Sequence, residues 1–425
     1  MTRNASVEEQ MRVLMRGVEY GDPNIQRTME EELRARLAEG RLLRVYAGFD
    51  PTAVDLHLGH IVPMMKLRQF QEFGHEVTFL IGTMTAVIGD PTDRSASRQM
   101  QTPEQVEANA RTWLGQAFRI LDSDKTVVKR NGDWLAPLNL TDFVRLAANF
   151  TVQQFLDHDT FRRRIEAQRP VYLHEFVYAL MQGYDAVAMN TDVQIGGTEQ
   201  LFNIMAGRTL QRAFDQKPQV AICLPILLGT DGTLRMSKST GNYIGLDEPP
   251  AEMYGKVMSV PDTLIGNYFT LLTDVPNDEI ASIERAVAEH RNSMDAKKRL
   301  AREIVALLHG EAAADAAQEE FERVFQRREQ PEKTIEIAFT NLPFKDLPFV
   351  DVTLIAGPVP HGFSPSVKLA TLLSQVLHVS VSAARRLIDE GAVQVNGAVT
   401  KSAFPHLKHG DLIRAGRHTF IRVVA

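Results

Sequence analysis

The sequence predicts an α/β fold with a doubly wound parallel sheet, followed by an α-helical domain and a small α+β domain. Strand-like apolar runs that lead through glycine-containing turns into helical patterns fill the first half of the chain, and helical periodicity dominates the stretch after it. At 425 residues and 44% hydrophobic content, the chain can bury a core for two or three domains. We predict the sheet domain at 1–245, the helical domain at 246–345, a linker at 346–365 and the small domain at 366–425.

The first strand–turn–helix unit runs from a buried strand at 42–50 to a helix at 58–73. The turn at 50–53 contains a proline and ends the strand, and apolar residues then recur at helical spacing. Gly48 and Gly59 let a ligand approach the backbone, and the free N–H groups at the start of the helix attract an anion. The unit therefore predicts a phosphate-binding turn.

Two histidines, His57 and His60, stand at the start of that helix. Their spacing of three puts both on one side of the first turn, where either ring can donate to a phosphate oxygen. A capping or surface pair is the alternative interpretation. A zinc site is less favoured, because metal cages need more than two ligands and Cys223 is the only cysteine. We expect no metal ion held by the protein itself.

A second basic segment lies at 232–242. Arg235, Ser237, Lys238 and Ser239 offer cationic and hydroxyl donors, and flanking glycines would let the loop close over a polyphosphate. Alone, such a segment is equally typical of a solvated turn. Together with the histidine pair it favours a nucleotide triphosphate site, where charge on the leaving oxygens must be neutralised.

Two more strand ends and one helix add candidates. A strand at 77–81 leads into a loop that ends at Asp90, and a strand at 193–197 ends in glycines before Glu199, which is suited to ribose hydroxyls. An ordinary turn is the alternative for Asp90. Tyr178, Gln182 and Asp185 are spaced i, i+4 and i+7, which predicts a polar stripe that binds a ligand or, alternatively, faces solvent.

These motifs resemble those of class I aminoacyl-tRNA synthetases, which have a Rossmann-like catalytic domain. The segment 57–60 resembles the HIGH signature, and 235–239 resembles KMSKS, in the family's order. The segments 46–52 and 178–185 resemble those of bacterial tyrosyl-tRNA synthetases, and the likeness spans nearly the whole chain. Arg235 replaces the first lysine of KMSKS, which keeps the charge but not the point-charge geometry, and Glu199 replaces an aspartate common in the family.

The resemblance implies that the chain activates L-tyrosine with ATP, accompanied by Mg²⁺, and transfers it to tRNA(Tyr). It implies catalytic roles for His57, His60, Thr52, Lys238 and Arg235. It implies ATP binding by Gly48, Asp50, Gly59, Gly197, Glu199, Met236, Ser237 and Ser239. It implies tyrosine binding by Tyr46, Asp90, Thr85, Asn131, Tyr178, Gln182, Asp185 and Gln200, with Tyr46 and Asp185 at the phenolic hydroxyl and Asp90 at the ammonium.

The last stretch of the chain is basic, although the net charge of the whole is −6. From 367 to 425 there are eight Lys and Arg residues against three Asp and Glu residues, the pattern of a module that meets nucleic-acid phosphates. The segment 382–397 reads as a helix, a glycine stop and a strand with an Asn-Gly turn. It resembles a small RNA-binding domain first recognised in a ribosomal protein. The RNA-binding candidates are Arg385, Arg386, Lys368 and Lys401; a salt bridge to Asp389 is the alternative for the two arginines.

The helical region at about 248–344 has two amphipathic patterns, and the family resemblance implies that it receives the anticodon stem. Proline and glycine then crowd into the linker. The polar first ten residues do not look like a signal peptide, and no apolar run is long enough to span a membrane. We expect a cytoplasmic protein with no DNA partner, and the resemblance implies a homodimer.

Three alternative functions stay open on the sequence. A tryptophanyl-tRNA synthetase shares the class signatures but is not expected to carry the basic tail. A nucleotidylyltransferase that is not a synthetase shares the histidine pair. An RNA-binding protein on a catalytically inactive synthetase body is disfavoured, since His57, His60 and Lys238 are all present.

Overall fold

The protein's structure, a computed structural model, describes residues 5–51, 55–89, 101–156, 159–289, 292–323, 335–338, 366–377, 379–408, 410–416 and 419–424. The chain divides into two compact units, Met1–Asp315 and Ala316–Ala425. The domain boundaries at 245 and 345 stay predictions, and the linker at 346–365 lies outside the described residues.

The first unit contains the predicted parallel sheet. Its strands are β1 (Arg44–Phe49), β2 (Glu76–Ile81), β3 (Thr126–Arg130), β4 (Val193–Gly197) and β5 (Val220–Leu224), in the order β3-β2-β1-β4-β5. The chain proceeds one way from β1 to β3 and the other way from β1 to β5. In such sheets ligands bind where the order reverses, at the carboxyl ends of the strands, so the fold predicts a site beside β1 and β4.

Helices cover this sheet and continue beyond it. They are α1 (Val7–Leu14), α2 (Pro23–Ala38), α3 (Leu58–Glu72), α4 (Thr85–Ile88), α5 (Pro103–Ala117), α6 (Gly132–Leu135), α7 (Leu140–Ala147), α8 (Val152–Leu156), α9 (Asp159–Glu166), α10 (Leu173–Met189), α11 (Leu201–Ala213), α12 (Pro250–Met258), α13 (Ile265–Leu272), α14 (Asn277–Ala288), α15 (Ser293–His309) and α16 (Glu311–Phe321). Short 3₁₀ turns lie at 123–125, 198–200 and 262–264.

The predicted strand and helix of the first strand–turn–helix segment are confirmed, and the turn between them lies partly outside the described residues. β1 buries Val45, Tyr46 and Ala47, and α3 begins at Leu58, directly after its N-cap His57. The helices α14 and α15 likewise lie where the apolar periodicity predicted them. Regular hydrophobic spacing was sufficient in these places, although the burial differs: α3 is buried on most sides, α15 buries Leu300, Ile304 and Leu308, and α14 buries only Ile280.

The second unit is a small α+β module. It contains β6 (Ile335–Ala338), α17 (Leu369–Leu377), α18 (Val381–Asp389), β7 (Val393–Val395), β8 (Ala398–Val399), β9 (Leu412–Ala415) and β10 (Thr419–Val424), with sheet order β6-β10-β9-β7-β8. Asn396 and Gly397 both have positive φ, at 51° and 83°, as the predicted two-residue turn requires. Apolar side chains from both helices and the sheet form its core.

One segment differs from expectation. Ile335–Ala338 falls in the stretch interpreted as helical, but it is a strand that pairs in parallel with β10. Its alternating isoleucines suit a pleated strand, and pairing with a distant segment is a tertiary effect that local periodicity does not reveal.

Among the described residues, none of the helices combines the length and the apolar character that crossing a membrane requires.

Candidate active site

A cleft of about 1120 Å³ opens at the carboxyl ends of the first unit's strands. Thr52 and Asp90, two predicted site residues, lie outside the described residues, and the four RNA-binding candidates belong to the second unit. All the others line this one cleft: Tyr46, Gly48, Asp50, His57, Gly59, His60, Thr85, Asn131, Tyr178, Gln182, Asp185, Gly197, Glu199, Gln200, Arg235, Met236, Ser237, Lys238 and Ser239.

A short backbone pairing brings the two signature segments together. The N–H of Leu58 donates to the carbonyl of Ile244 at 3.0 Å, and that of Leu246 donates to the carbonyl of Leu56 at 3.1 Å. The chain leaving the basic loop therefore lies against the chain entering α3. We call His57, His60 and the loop 235–239 the cationic end of the cleft.

The two histidines cap α3 and keep one ring donor each. Nδ1 of His57 accepts from the backbone N–H of Gly59, and Nδ1 of His60 accepts from that of His57, both at 3.2 Å. Burial, reinforced by the neighbouring His60, Lys238 and Arg235, lowers the pKa of His57 to about 2, and burial lowers that of His60 to about 4. Both rings are neutral near pH 7, and their protons are on Nε2. Capping and phosphate donation are thus compatible.

One buried side chain, Asn242, holds the basic loop. Its Oδ1 accepts from the backbone N–H of Ser237 at 2.9 Å, and its Nδ2 donates to the carbonyl of Arg235 at 3.1 Å and to Asp231 at 2.9 Å. A Cβ at Gly229 would lie 2.3 Å from this amide, so glycine is required there. Asn242 therefore determines the shape of the loop.

Lys238 projects from that loop with its side chain about one third exposed, at 33%. Its Nζ lies 3.2 Å from Oδ2 of Asp55 and 5.9 Å from the centre of the Tyr243 ring. A second lysine, Lys256, lies 5.4 Å from the same ring and pairs with Glu248 at 2.6 Å. Lys238 lines the cleft, whereas Lys256 is not among the lining residues.

The opposite end is built around two acidic side chains, and we call it the carboxylate end. Asp185 is 2% exposed; Nε1 of Trp134 donates to its Oδ1 at 2.8 Å and Nδ2 of Asn131 to its Oδ2 at 3.3 Å. Burial raises the pKa of Asp185 to about 8. Asp50 accepts from the hydroxyl of Tyr178 at 2.8 Å and from that of Thr85 at 2.6 Å.

Asp50 therefore lies at the junction of the predicted sets. The resemblance assigned it to ATP, while its carboxylate accepts hydrogen bonds from Tyr178 and Thr85, both of the tyrosine set. A Cβ at Gly82 would lie 1.9 Å from Oδ1 of Asp50, so the backbone of the β2 loop passes directly over this carboxylate. The proposed ATP-binding and tyrosine-binding residues therefore meet at Asp50, on the same side of the cleft.

The hydroxyl group of Tyr46 forms no hydrogen bond with any of the described residues, and it is fully buried. Burial and, less strongly, the Asp185 carboxyl raise the pKa of the phenol; a weak opposing effect comes from Gln219, which approaches without ordinary hydrogen-bond geometry. Because an unmet buried hydroxyl is costly, a polar ligand that reaches it is favoured.

The β4 end carries the remaining candidates. The carboxylate of Glu199 lies over Gly197, where a Cβ would be 2.3 Å from Oε1, and Gln200 accepts from Nδ2 of Asn203 at 3.1 Å. Only glycine at 197 leaves room for this carboxylate against the strand end.

Sequence reasoning missed four residues that shape the cleft or its loop. Trp134 and Gln194 line or support the carboxylate end, and Asp55 and Asn242 hold the cationic end. Trp134 follows the carboxyl end of β3, which was an available signal. Asp55 and Gln194 have no local signature, because their partners Lys238 and Gln219 are distant in sequence, whereas Asn242 contacts residues 5 to 11 positions away within its own loop.

Comparison with known proteins identifies the family. The family described as "tRNA synthetases class I (W and Y)" matches residues 38–326, and "S4 domain" matches residues 367–413. A tyrosine–tRNA ligase of Symbiobacterium thermophilum is 45% identical over 99% of this chain and 98% of its own length. One of Moorella thermoacetica is 44% identical over 98% of this chain and 96% of its own.

Solved structures agree on the fold. A C-terminally truncated mitochondrial tyrosyl-tRNA synthetase of Aspergillus nidulans is 24% identical and has a TM-score of 0.60 over 76% of this chain and 95% of its own. The Archaeoglobus fulgidus tyrosyl-tRNA synthetase, complexed with L-tyrosine, is 21% identical and has a TM-score of 0.57 over 74% of this chain and 100% of its own. Taken with the full-length relatives, these matches show that the chain belongs to the tyrosyl-tRNA synthetases, class I ligases that use ATP to activate tyrosine and charge tRNA with it.

Proposed function

We propose that this cleft performs both steps of tyrosine–tRNA ligation. A carboxylate oxygen of tyrosine attacks the α-phosphorus of ATP, the bond from that phosphorus to the bridging oxygen breaks, and pyrophosphate leaves. A ribose hydroxyl at the 3′ end of tRNA(Tyr) then takes the tyrosyl group and releases AMP. The observation that carries the proposal is the presence of both signature segments, Asp50 and the buried Asp185 in one cleft.

At the cationic end, we assign the neutral His57 and His60 to donate from Nε2 to phosphate oxygens. Lys238 and Arg235 neutralise charge on the departing pyrophosphate, and Thr52 also stabilises the pyrophosphate as it leaves. Mg²⁺, brought with ATP, supplies further charge neutralisation on the phosphates. No nucleophilic side chain is needed, because positioning and charge stabilisation carry the step.

At the carboxylate end, we assign Asp185 and Tyr46 to the phenolic hydroxyl. Both are buried polar groups, so a ring without a hydroxyl leaves them unsatisfied. Tyr178 and Gln182, with Asp90, bind the substrate ammonium. The other proposed tyrosine contacts are Thr85, Asn131 and Gln200. The adenosine contacts are Gly48, Asp50, Gly59, Gly197, Glu199, Met236, Ser237 and Ser239.

The test is pyrophosphate–ATP exchange dependent on a single amino acid, followed by aminoacylation of purified tRNA with labelled tyrosine. We expect exchange with tyrosine and charging of tRNA(Tyr). Exchange with tryptophan instead would favour a tryptophanyl enzyme. Exchange without any charging would favour a nucleotidylyltransferase, and the absence of exchange would favour an inactive synthetase body.

We propose that the second unit binds the phosphates of tRNA. Arg385, Arg386, Lys368 and Lys401 are exposed, and within the described parts of the chain none of them forms an ion pair, so the salt bridge to Asp389 is not formed there. Replacing both arginines with alanine should weaken tRNA binding and reduce its salt dependence, without changing tyrosine-dependent exchange. Unchanged salt dependence would contradict this assignment.

We propose that the chain forms a homodimer through an exposed apolar face. Leu140 and Leu173 are 77% and 78% exposed, and Val144 and Val152 are 58% and 66% exposed, all between α7 and the start of α10. Several large apolar side chains exposed within one stretch of the chain are typical of a protein interface. Leu173→Glu should yield monomers by light scattering, whereas Leu42→Glu, at an isolated leucine that is 51% exposed, should not. A monomeric wild type would refute the proposal.

We also propose a cytoplasmic location and no DNA partner, in keeping with the bacterial relatives. Fractionation of cells that express the chain tests the location. Competition of tRNA binding by duplex DNA tests the partner.

A further inference from the structure

A chain of buried glutamine side chains lies behind the carboxylate end of the cleft. Gln194, Gln211 and Gln219 are at most 2% exposed. Nε2 of Gln219 donates to Oε1 of Gln194, and the backbone N–H of Gln219 donates to Oε1 of Gln211 at 2.6 Å. The hydroxyl of Thr191 lies 2.8 Å from Oε1 of Gln219. Of these residues, Gln194 lines the cleft, and the proposed mechanism uses none of them.

The hydrogen bonds determine the orientation of the Gln194 carboxamide. Nε2 of Gln219 also lies 3.4 Å from the carbonyl of Ile204, and a carbonyl can only accept, so the NH₂ group of Gln219 is the one near Gln194. The oxygen of Gln194 therefore faces Gln219, and because Gln194 also lines the cleft, we infer that its NH₂ group faces the cleft. The β1–β4 register places Gln194 beside Tyr46, whose hydroxyl is unsatisfied.

Gln219 also abuts the closest approach of α10 and α11. A Cβ at Gly207 would lie 2.8 Å from Nε2 of Gln219, and a Cβ at Gly183 would lie 3.1 Å from the backbone nitrogen of Gly207. The Gln219 side chain therefore contacts Gln194 on β4 and Ile204 on α11, and α11 packs closely against α10, the helix that carries Asp185.

We propose that Gln219 is a positioning residue that sets the selectivity of the cleft for a phenolic hydroxyl. It acts through Gln194, whose NH₂ group it aims at the oxygen on the substrate ring. A ring without that oxygen leaves the donor desolvated and unpaired. The inference rests on the proposed activation of tyrosine.

The test compares Gln219→Leu with Gln71→Leu in pyrophosphate exchange. Gln71 is a matched control: it is 5% exposed, it donates to the carbonyl of Asp122 at 3.2 Å and to Thr126 at 2.8 Å, and it does not line the cleft. For Gln219→Leu we expect the KM for tyrosine to rise about tenfold, kcat to stay within about twofold, and the preference for tyrosine over phenylalanine to fall about tenfold. Gln71→Leu should lower thermal stability but leave KM and preference unchanged.

An unchanged preference in Gln219→Leu, or an equal change in Gln71→Leu, would overturn the inference. Should Gln219→Leu fail to fold, Thr191→Val removes the hydroxyl that contacts Gln219 while nearly preserving shape, and a smaller shift in the same direction is expected. An unchanged preference for tyrosine over phenylalanine in Thr191→Val would also overturn the inference. A wild-type enzyme without tyrosine-dependent exchange would instead refute the proposed function.

Discussion

The two ends of the cleft are built in different ways. At the carboxylate end, Asp185 and Tyr46 project from a helix and a strand and are almost completely buried. At the cationic end, Lys238 projects from a loop and about a third of its side chain is exposed, at 33%. We infer that the end that recognises one amino acid is preorganised, whereas the end that neutralises charge formed during the reaction stays open to admit a polyphosphate.

The strongest test of this difference is Lys238→Ala. Because the ammonium is proposed to act on the departing pyrophosphate, kcat for exchange should fall about 100- to 1,000-fold, while the dissociation constant of tyrosine should stay within about twofold. Single-turnover adenylate formation and equilibrium titration with tyrosine measure the two quantities.

Lys256→Ala is the matched control for that variant. This lysine lies against the same Tyr243 ring but is paired with Glu248 and does not line the cleft. Its exchange rate should stay within about threefold of the wild type. Equal losses of exchange rate in both variants, or a comparable loss of tyrosine affinity in Lys238→Ala, would show that the two ends of the cleft do not have separate roles in catalysis and tyrosine binding.

The complementary change is Asp185→Asn, at the carboxylate end. An amide keeps the size of the side chain but presents an NH₂ group where the phenolic hydroxyl needs an acceptor, so kcat/KM for tyrosine should fall about 10- to 100-fold. The loss should lie mainly in KM, as measured by exchange at varied tyrosine concentration. A loss confined to kcat would contradict a binding role.

A smaller effect is expected from Asn242→Ala, which loosens the cationic end without removing a charge. The loop would lose the hydrogen bonds to Ser237 and Arg235, so its cations would be less well positioned, and exchange should slow about tenfold. Tyrosine affinity should not change. A wild-type rate at saturating ATP would show that Asn242 does not position the loop for catalysis.

The sequence was sufficient for the sheet and for most of the cleft because both depend on local patterns. Apolar runs ending at Asp50 and Gly197 predicted strands, and the carboxyl ends of parallel strands lie at the same edge of the sheet. That His57 and Lys238 lie in one site was predicted only from the family resemblance. The backbone hydrogen bond between Leu58 and Ile244 brings their two segments together, and no local pattern in the sequence indicates this contact.

What escaped the sequence is side-chain contact over long separations. Asp55 and Gln219 are ordinary polar residues until their partners are known, and Ile335–Ala338 becomes a strand only because β10 lies beside it. The packing around Asp185 likewise depends on Trp134, which is about fifty positions away along the chain.

Asp185 should also give the carboxylate end a pH dependence of stability, opposite in sign to the one that His57 and His60 give the cationic end. The pKa of Asp185 is about 8 in the folded protein and near its ordinary value of 3.8 in the unfolded chain, so between these values the folded state holds a proton that the unfolded state has released. Relative to Asp185→Asn, the wild type should lose free energy of unfolding as pH rises through this window, by about 1 kcal/mol per pH unit, and the difference should level off above it. Urea denaturation of both proteins from about pH 5 to about pH 9 measures this difference. A constant difference would mean that Asp185 stays ionised in the fold, and the preorganised end would then hold a charge rather than a neutral acid.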